Sequence, residues 1–230
     1  MFSTDGMLYK ICNYIYHTFM CTILWFAFSL PVILFTVFLV ASQPDKSYTG
    51  FLIAIPLFAT GASTSALFYV MGKYLREGEI SVTKEYMKSF KMNFKQGSIL
   101  SFILFFAYII LVFNISNIAI FKSFAIPIFA VQALILVQLL IMTIYIYPLL
   151  ARFDTTIKNL IKTSFIMGNK HLGTTILCAL DFVGVILLIY KIHPAITILA
   201  PGIYAFCSCH FLDKVFNKYA PVVDPEEERE

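Results

Sequence analysis

The sequence predicts an all-α fold: a polytopic membrane helix bundle of six transmembrane helices, with two amphipathic helices on its cytoplasmic side. Three observations carry that expectation. Hydrophobic residues are 60% of the 230-residue chain and charged residues 13%, about half the share usual in a soluble domain, and mean hydropathy is +0.83. The apolar residues gather into long blocks, each of a length to cross roughly 30 Å of hydrocarbon as a helix. The 17 Lys and Arg lie mostly in the short connections, where they act as orientation determinants rather than as a surface for nucleic acid.

Residues 11–44 contain no Asp, Glu, Lys or Arg. As a single helix that run would be about 50 Å long, so Tyr9 to His17 is expected at the interface and the first span from Thr18 to Val40. Pro31 predicts a kink, with Ser29 available to satisfy a freed carbonyl. The run exceeds the apolar core of a cleaved signal peptide, and the residues before it are barely basic. Asp45 and Lys46 turn the chain into a second span, Gly50 to Met71. Its middle, Gly61-Ala62-Ser63-Thr64-Ser65-Ala66, is a run of small residues that lets helices approach closely. The third span is expected from Gly97 to Ala119. The fourth, Ala125 to Leu150, follows a reversal at Phe121-Lys122-Ser123. The fifth, Leu172 to Tyr190, holds Asp181 near its midpoint, and the sixth, Ala195 to Phe211, is loosened by Pro201 and Gly202. Residues 1–212 thus read as one membrane domain. Residues 213–230, ending in Glu226-Glu227-Glu228-Arg229-Glu230, read as a disordered acidic tail.

The longest polar interruption, Ser81 to Gln96, plots as an amphipathic helix. Tyr86, Met87, Phe90 and Phe94 fall on one side, and Lys84, Lys88, Lys91 and Lys95 on the other. Thr83 can cap it and Glu85 suits its first turn. A basic amphipathic helix between spans is expected to lie along the cytoplasmic membrane surface, touching lipid or a partner through Lys84, Lys88, Phe90, Lys91, Phe94 and Lys95. Asp154 to His171 reads as a second such helix, with Asp154 as its N-cap. Ser89-Phe90-x-Met92-x-x-Lys95 recurs as Ser164-Phe165-x-Met167-x-x-Lys170, which is either an internal duplication or a shared need for interfacial anchors. With both termini in the cytoplasm, Lys46, Lys122 and Lys191 are the only cations left outside, in keeping with the positive-inside rule.

Asp181 is the sharpest candidate for a functional residue. A mid-helix Asp costs about 2.5–3.5 kcal/mol on insertion, which the surrounding Leu, Ile, Val and Phe offset. With Gln138, Ser63, Thr64 and Ser65 at similar depth it forms a mid-membrane polar cluster. That cluster is either a proton or substrate site or a set of interhelical hydrogen bonds. Cys207-Ser208-Cys209-His210 does not read as a metal centre, because helical spacing sets the two cysteines about 200° apart. The five cysteines sit in or beside apolar blocks as small apolar residues, not as a disulfide framework. Neither nucleophile motif nor phosphate-binding loop is present, so no enzyme activity, cofactor or metal is expected.

Pro31, the segment Gly61-Ala-Ser-Thr-Ser-Ala-Leu-Phe-Tyr69, the segment Ser89-Phe-Lys-Met-Asn-Phe-Lys-Gln96 and Tyr147-Pro148-Leu-Leu-Ala-Arg152-Phe153 resemble the YesL family of bacterial integral membrane proteins, from about Tyr9 to His210. That resemblance implies a multi-pass protein of the cytoplasmic membrane in Gram-positive bacteria, encoded near carbohydrate ABC importers, and it defines no catalytic residue. The expected partners are the lipid bilayer and ABC importer subunits, with room for homo-oligomerisation. Two functional readings follow: a non-enzymatic accessory to such an importer, and a small secondary transporter built around Asp181.

Overall fold

The computed structural model describes residues 7–42, 49–191, 193 and 197–219. Among them the secondary structure is entirely helical: α1 (Met7–Ala41), α2 (Thr49–Glu77), α3 (Val82–Ser116), α4 (Ala125–Arg152), α5 (Ile157–Lys170), α6 (Leu172–Lys191) and α7 (Ala200–Phe216). A short 3₁₀ segment, Ile118–Phe124, joins α3 to α4. Among the described residues, four stretches are long and apolar enough to cross a membrane: Ile11–Leu30 within α1, and α3, α4 and α6. The 17-residue α7 and α2 are not among them. The chain is a membrane-type helical protein. The turn at Asp45 and Lys46 lies outside the described residues.

The chain reverses where its chemistry allows. Gly78 ends α2 with φ 82°, a left-handed conformation that favours glycine, and its N–H bonds to the Tyr74 carbonyl at 2.9 Å. Lys122, in the reversal expected at residues 121–123, also has a positive φ, 44°. Pro201 lies in the first turn of α7, where its missing N–H costs nothing. It starts that helix instead of loosening it.

α2 and α3 form an antiparallel hairpin with the most extensive helix contact in the molecule. Lys73 pairs with Glu85 at 3.0 Å. Asn93 Nδ2 donates to Ser65 Oγ at 3.2 Å. Further along, Gly97 lies against Ala62, and Gly61 against Gly97 and Ser101. These pairs step in opposite directions along the two helices and set one register. α1 covers the hairpin with Cys21, Trp25 and Phe28, packed with Leu67, Met71 and Tyr86. A second core joins Leu100 and Leu104 of α3 to Tyr145, Ile146 and Leu149 of α4, Leu160 and Met167 of α5, Cys178 of α6 and Leu212 of α7. α3 therefore spans both cores.

Several expectations are corrected. The segment Ser81 to Gln96 is not a separate surface helix, because it continues without a break into the third span as the 35-residue α3. The reason lies in its inner face. Tyr86, Ser89, Gly97, Ser101 and Leu104 are buried and, with the half-buried Asn93 between Ser89 and Gly97, follow one another at three- and four-residue spacing, so one stripe runs past Gln96. Phe90 leaves the surface group for the core, with its ring 4.6 Å from that of Phe28. Ser81 and Thr156, not Thr83 and Asp154, precede the helices, and neither makes a side-chain cap. Ser29 Oγ is buried with no hydrogen-bond partner, so it does not serve the carbonyl freed by Pro31. α7 runs through Asp213 to Phe216, which carries the bundle past the domain boundary expected after residue 212.

The repeated segment does not repeat in space. Ser89 and Ser164 are both buried, but Met92 is exposed where Met167 is buried, and Phe90 is packed where Phe165 is exposed. The chain also breaks after α5 at His171 (φ −113°, ψ 52°), whereas α3 continues.

Gly97 gives the fold its most direct test. A Cβ there would sit 2.9 Å from Ala62 N and 3.0 Å from Ala62 Cα, both backbone atoms. Gly97→Ala is therefore expected to destabilise by about 1–3 kcal/mol, read as a lower unfolding temperature in detergent. Gly173→Ala, where nothing lies within 4 Å, is the neutral control.

Candidate functional site

The expected mid-membrane cluster divides into separate groups. Ser63, Thr64 and Ser65 serve the contact among α1, α2 and α3. Trp25 Nε1 donates to Thr64 Oγ1 at 3.1 Å, and Thr64 donates to the Thr60 carbonyl at 2.7 Å. Ser63 Oγ donates to the Trp25 carbonyl at 3.2 Å and meets Tyr86 OH at 2.6 Å. Ser65 accepts from Asn93, as above. Each hydroxyl is engaged, as buried polar groups in a bilayer require.

Asp181 belongs to the α6–α7 contact. Ser208 Oγ donates to its Oδ2 at 3.1 Å, and the Cys207 thiol also reaches it. Gln138 on α4 joins neither group, and its Nε2 is buried without a partner. Cys209, two residues beyond Cys207, bonds the Phe68 carbonyl on α2 at 3.6 Å. No cluster of His, Cys, Asp or Glu among the described residues has the arrangement of a metal site.

Where α2, α4, α6 and α7 meet there is a cavity of about 400 Å3, lined by Thr64, Phe68, Tyr147, Ala179, Phe182 and Tyr204 among others. Thr64 is held by Trp25 and Thr60. Tyr147 OH pairs with Ser101 Oγ at 2.8 Å, Thr143 with Tyr108 OH at 2.9 Å, and Tyr204 with Ser208. The hydroxyls on its wall are thus committed to protein partners, and the surface left facing the cavity is hydrocarbon. Asp181 and Gln138 do not line it.

The strongest electrostatic feature joins three helix ends. Arg152 at the end of α4 bonds Asp213 on α7, and its Nη2 donates to Asn217 Oδ1 at 2.5 Å. Arg76 near the end of α2 lies 3.6 Å from the same Asp213 carboxylate. Arg152 also stacks over Phe153 and Phe216, 5.9 and 5.7 Å from the ring centroids. The sequence expectation misses this junction because it places Asp213 in the tail. The signal was available: Leu212, Val215 and Phe216 extend the apolar period of α7. Beside the junction, His171 Nε2 lies 2.9 Å from Tyr219 OH. Burial, followed by the charges of Lys218 and Lys170, holds the His171 imidazole below its usual pKa.

Lys84, Lys88, Lys91 and Lys95 are exposed along the first turns of α3, beside Met92 and Phe94 (66% and 47% exposed). On α5, Lys158 and Lys162 are exposed beside Phe165 and Ile166. Two basic, apolar-studded faces therefore lie on the chain near the arginine junction.

Residues 18–115 match the family described as "Protein of unknown function, DUF624". The match runs from the middle of α1 to the end of α3, so it covers the α1–α2–α3 unit in which Gly61, Ala62 and Gly97 touch. No curated protein and no solved structure matches the chain.

Two sets of variants test these assignments. Removing Asp213 leaves two arginines facing each other, so Asp213→Ala should destabilise by about 1–3 kcal/mol, between the exposed and buried limits for ion pairs. Arg152→Ala should cost more than Arg76→Ala, since Arg152 alone adds Asn217 and the two aromatic rings. Asp181→Asn keeps an acceptor for Ser208 and should leave the unfolding temperature unchanged, whereas Asp181→Leu, which takes away the acceptor of the Ser208 hydroxyl proton and leaves that residue its contact with Tyr204, should lower it.

Proposed function

We propose that this chain is a non-enzymatic, multi-pass protein of the bacterial cytoplasmic membrane that supports a carbohydrate ABC importer without moving sugar itself. In this reading α1, α2, α3, α4, α6 and α7 are the six spans. The end carrying Arg76, Arg152 and the two lysine faces is cytoplasmic, in line with the positive-inside rule. The observation that carries the accessory role is the hydrocarbon lining of the cavity among α2, α4, α6 and α7. A sugar stripped of water needs a hydrogen-bond partner for nearly every hydroxyl, and the hydroxyls on that wall are already bonded. The resemblance to the YesL family supplies the importer as partner.

The exposed faces of α3 and α5 suit contact with anionic headgroups or with a partner at the membrane surface. Lys84, Lys88, Lys91 and Lys95 supply charge, and Met92 and Phe94 supply apolar area. A small secondary transporter is the second reading, favoured by the half-buried carboxylate of Asp181 at the α6–α7 contact.

The test compares sugar uptake in cells with and without the gene, alongside transport by the purified chain in liposomes. Reduced uptake in the deletion, co-purification with importer subunits in mild detergent and inert liposomes are expected. Unchanged uptake would defeat the accessory role. Solute-specific transport by the protein alone, lost in Asp181→Asn, would replace it with the transporter.

A further inference from the structure

One stretch of the bundle carries two faces that no single depth in a membrane suits. Residues 64–74 of α2 touch both α1 and α3. On the α1 side, Trp25 reaches Thr64, and the His17 ring stacks 4.1 Å from that of Tyr74. On the α3 side, Asn93 reaches Ser65 and Glu85 meets Lys73. The same length of bundle therefore shows Ile15, Phe19 and Ile23 on α1 and Lys84, Lys88 and Lys91 on α3, all of them exposed. The two faces point away from each other. α1 turns Cys21, Trp25 and Phe28 to the hairpin, and α3 turns Tyr86, Ser89 and Asn93 inward.

An upright bundle cannot serve both faces. If lipid tails cover Ile15 to Ile23, then Lys91 and Lys95 lie within the hydrocarbon, where an ammonium is expensive. If the lysines stand in water, so does the apolar side of α1, where residues 11–44 hold no Asp, Glu, Lys or Arg. The length of α1 gives a way out. Its exposed apolar residues run from Ile11 to Phe38, about 40 Å of helix against roughly 30 Å of hydrocarbon. A helix leaning by about 40°, the upper end of the range for membrane helices, fits that length inside. The same lean lifts a face that lies two helix spacings to the side, about 20 Å, by about 13 Å.

We propose that the α1–α2–α3 unit leans in this way in the cytoplasmic leaflet, and that its two faces together form a contact for anionic phospholipid. Acyl chains cover Ile15, Phe19 and Ile23. Lys88 and Lys91 meet the headgroups, Lys84 stands in the water above them, and Lys95 reaches up along its own alkyl stem. Two observations choose phospholipid over a protein as the occupant. The α1 face continues without a step into Leu30, Leu34 and Phe38, the outward side of the same helix where it crosses the bilayer. The row of four exposed lysines complements the charge of anionic headgroups. This inference deepens the reading of α3 as a membrane-surface contact and is independent of the importer role.

The full chain is placed in nanodiscs of phosphatidylglycerol and phosphatidylcholine with one spin label, at Ile23 or at Lys91. A keto amino acid carries the label, so the native cysteines stay untouched. Each site lies two residues from the contact that joins its helix to α2, Trp25 with Thr64 and Asn93 with Ser65. The two sites therefore stand at one level along the bundle. Collisions with oxygen should dominate at Ile23 and collisions with a water-soluble nickel chelate at Lys91, with Ile23 deeper by about 13 Å. Equal depths would overturn the lean. Nickel collisions dominating at Ile23 would mean a face left in water for a protein partner, and would overturn lipid as the occupant. Both labels replace exposed side chains, so neither disturbs the packing. Lys84→Gln, Lys88→Gln, Lys91→Gln and Lys95→Gln together should lower the phosphatidylglycerol retained relative to phosphatidylcholine, counted by native mass spectrometry. The expected loss is about fivefold for each lysine in contact. A preference for phosphatidylglycerol that survives all four changes would overturn the headgroup contact.

Discussion

The bundle depends on one close approach, the backbone of α2 against the backbone of α3 at Gly61, Ala62 and Gly97. In a bilayer, helices gain nothing from hiding apolar side chains from lipid, so association rests on packing and on hydrogen bonds between helices. Dispersion falls off steeply with distance, which is why the absence of a Cβ at two facing positions matters more than another leucine would. Once those backbones touch, Asn93 reaches Ser65 and Glu85 meets Lys73. Tyr86 reaches Ser63, which also bonds the Trp25 carbonyl and so ties α1 to the hairpin. A similar approach holds α1 to α7, where a Cβ on Gly202 would meet the Thr18 carbonyl at 2.8 Å.

Polar groups are handled differently in different parts of the molecule. Around α1, α2 and α3 the hydroxyls of Ser63, Thr64, Ser65 and Tyr86 are bonded in pairs and relays, with the buried Ser29 Oγ the exception, and near the helix ends two arginines share one carboxylate. In α4 two glutamines are left short: Gln132 Oε1 and Gln138 Nε2 are both buried and unpaired. The first region behaves as a scaffold, whereas α4 keeps two buried amide atoms that bond nothing in the protein. Asp181, the most conspicuous residue in the sequence, is taken up by Ser208 and Cys207 in a helix contact.

Much of the architecture was legible in the sequence because long apolar blocks and their charged connections leave few alternatives. The small-residue run at Gly61 to Ala66 announced a packing surface, and Lys122 a reversal. The failures share a cause. The polar surface of Ser81 to Gln96 suggested an interfacial helix, yet what decides its course is the inner stripe from Tyr86 through Gly97 to Leu104, in which small and polar residues count as packing residues. Hydropathy ranks Ser89, Gly97 and Ser101 with loops, whereas a helix contact uses them for their size. Asp213 was lost in the same way, since its charge suggested tail when its neighbours continued a helix. The division of Asp181, Gln138 and Ser63 to Ser65 into separate groups was not legible at all. Depth along a span can be read from a sequence, but the direction in which a residue faces depends on how the helices pack.

The continuity of α3 is the central claim, because it carries both the contact with α2 and the bridge between the two cores. Spin labels at Lys84 and Val112, both exposed, would measure it by pulsed electron resonance in lipid nanodiscs. An unbroken helix places their backbones about 42 Å apart. A helix lying on the membrane and turning into the span at Gly97 would bring them to about 30 Å, and that distance would contradict the account.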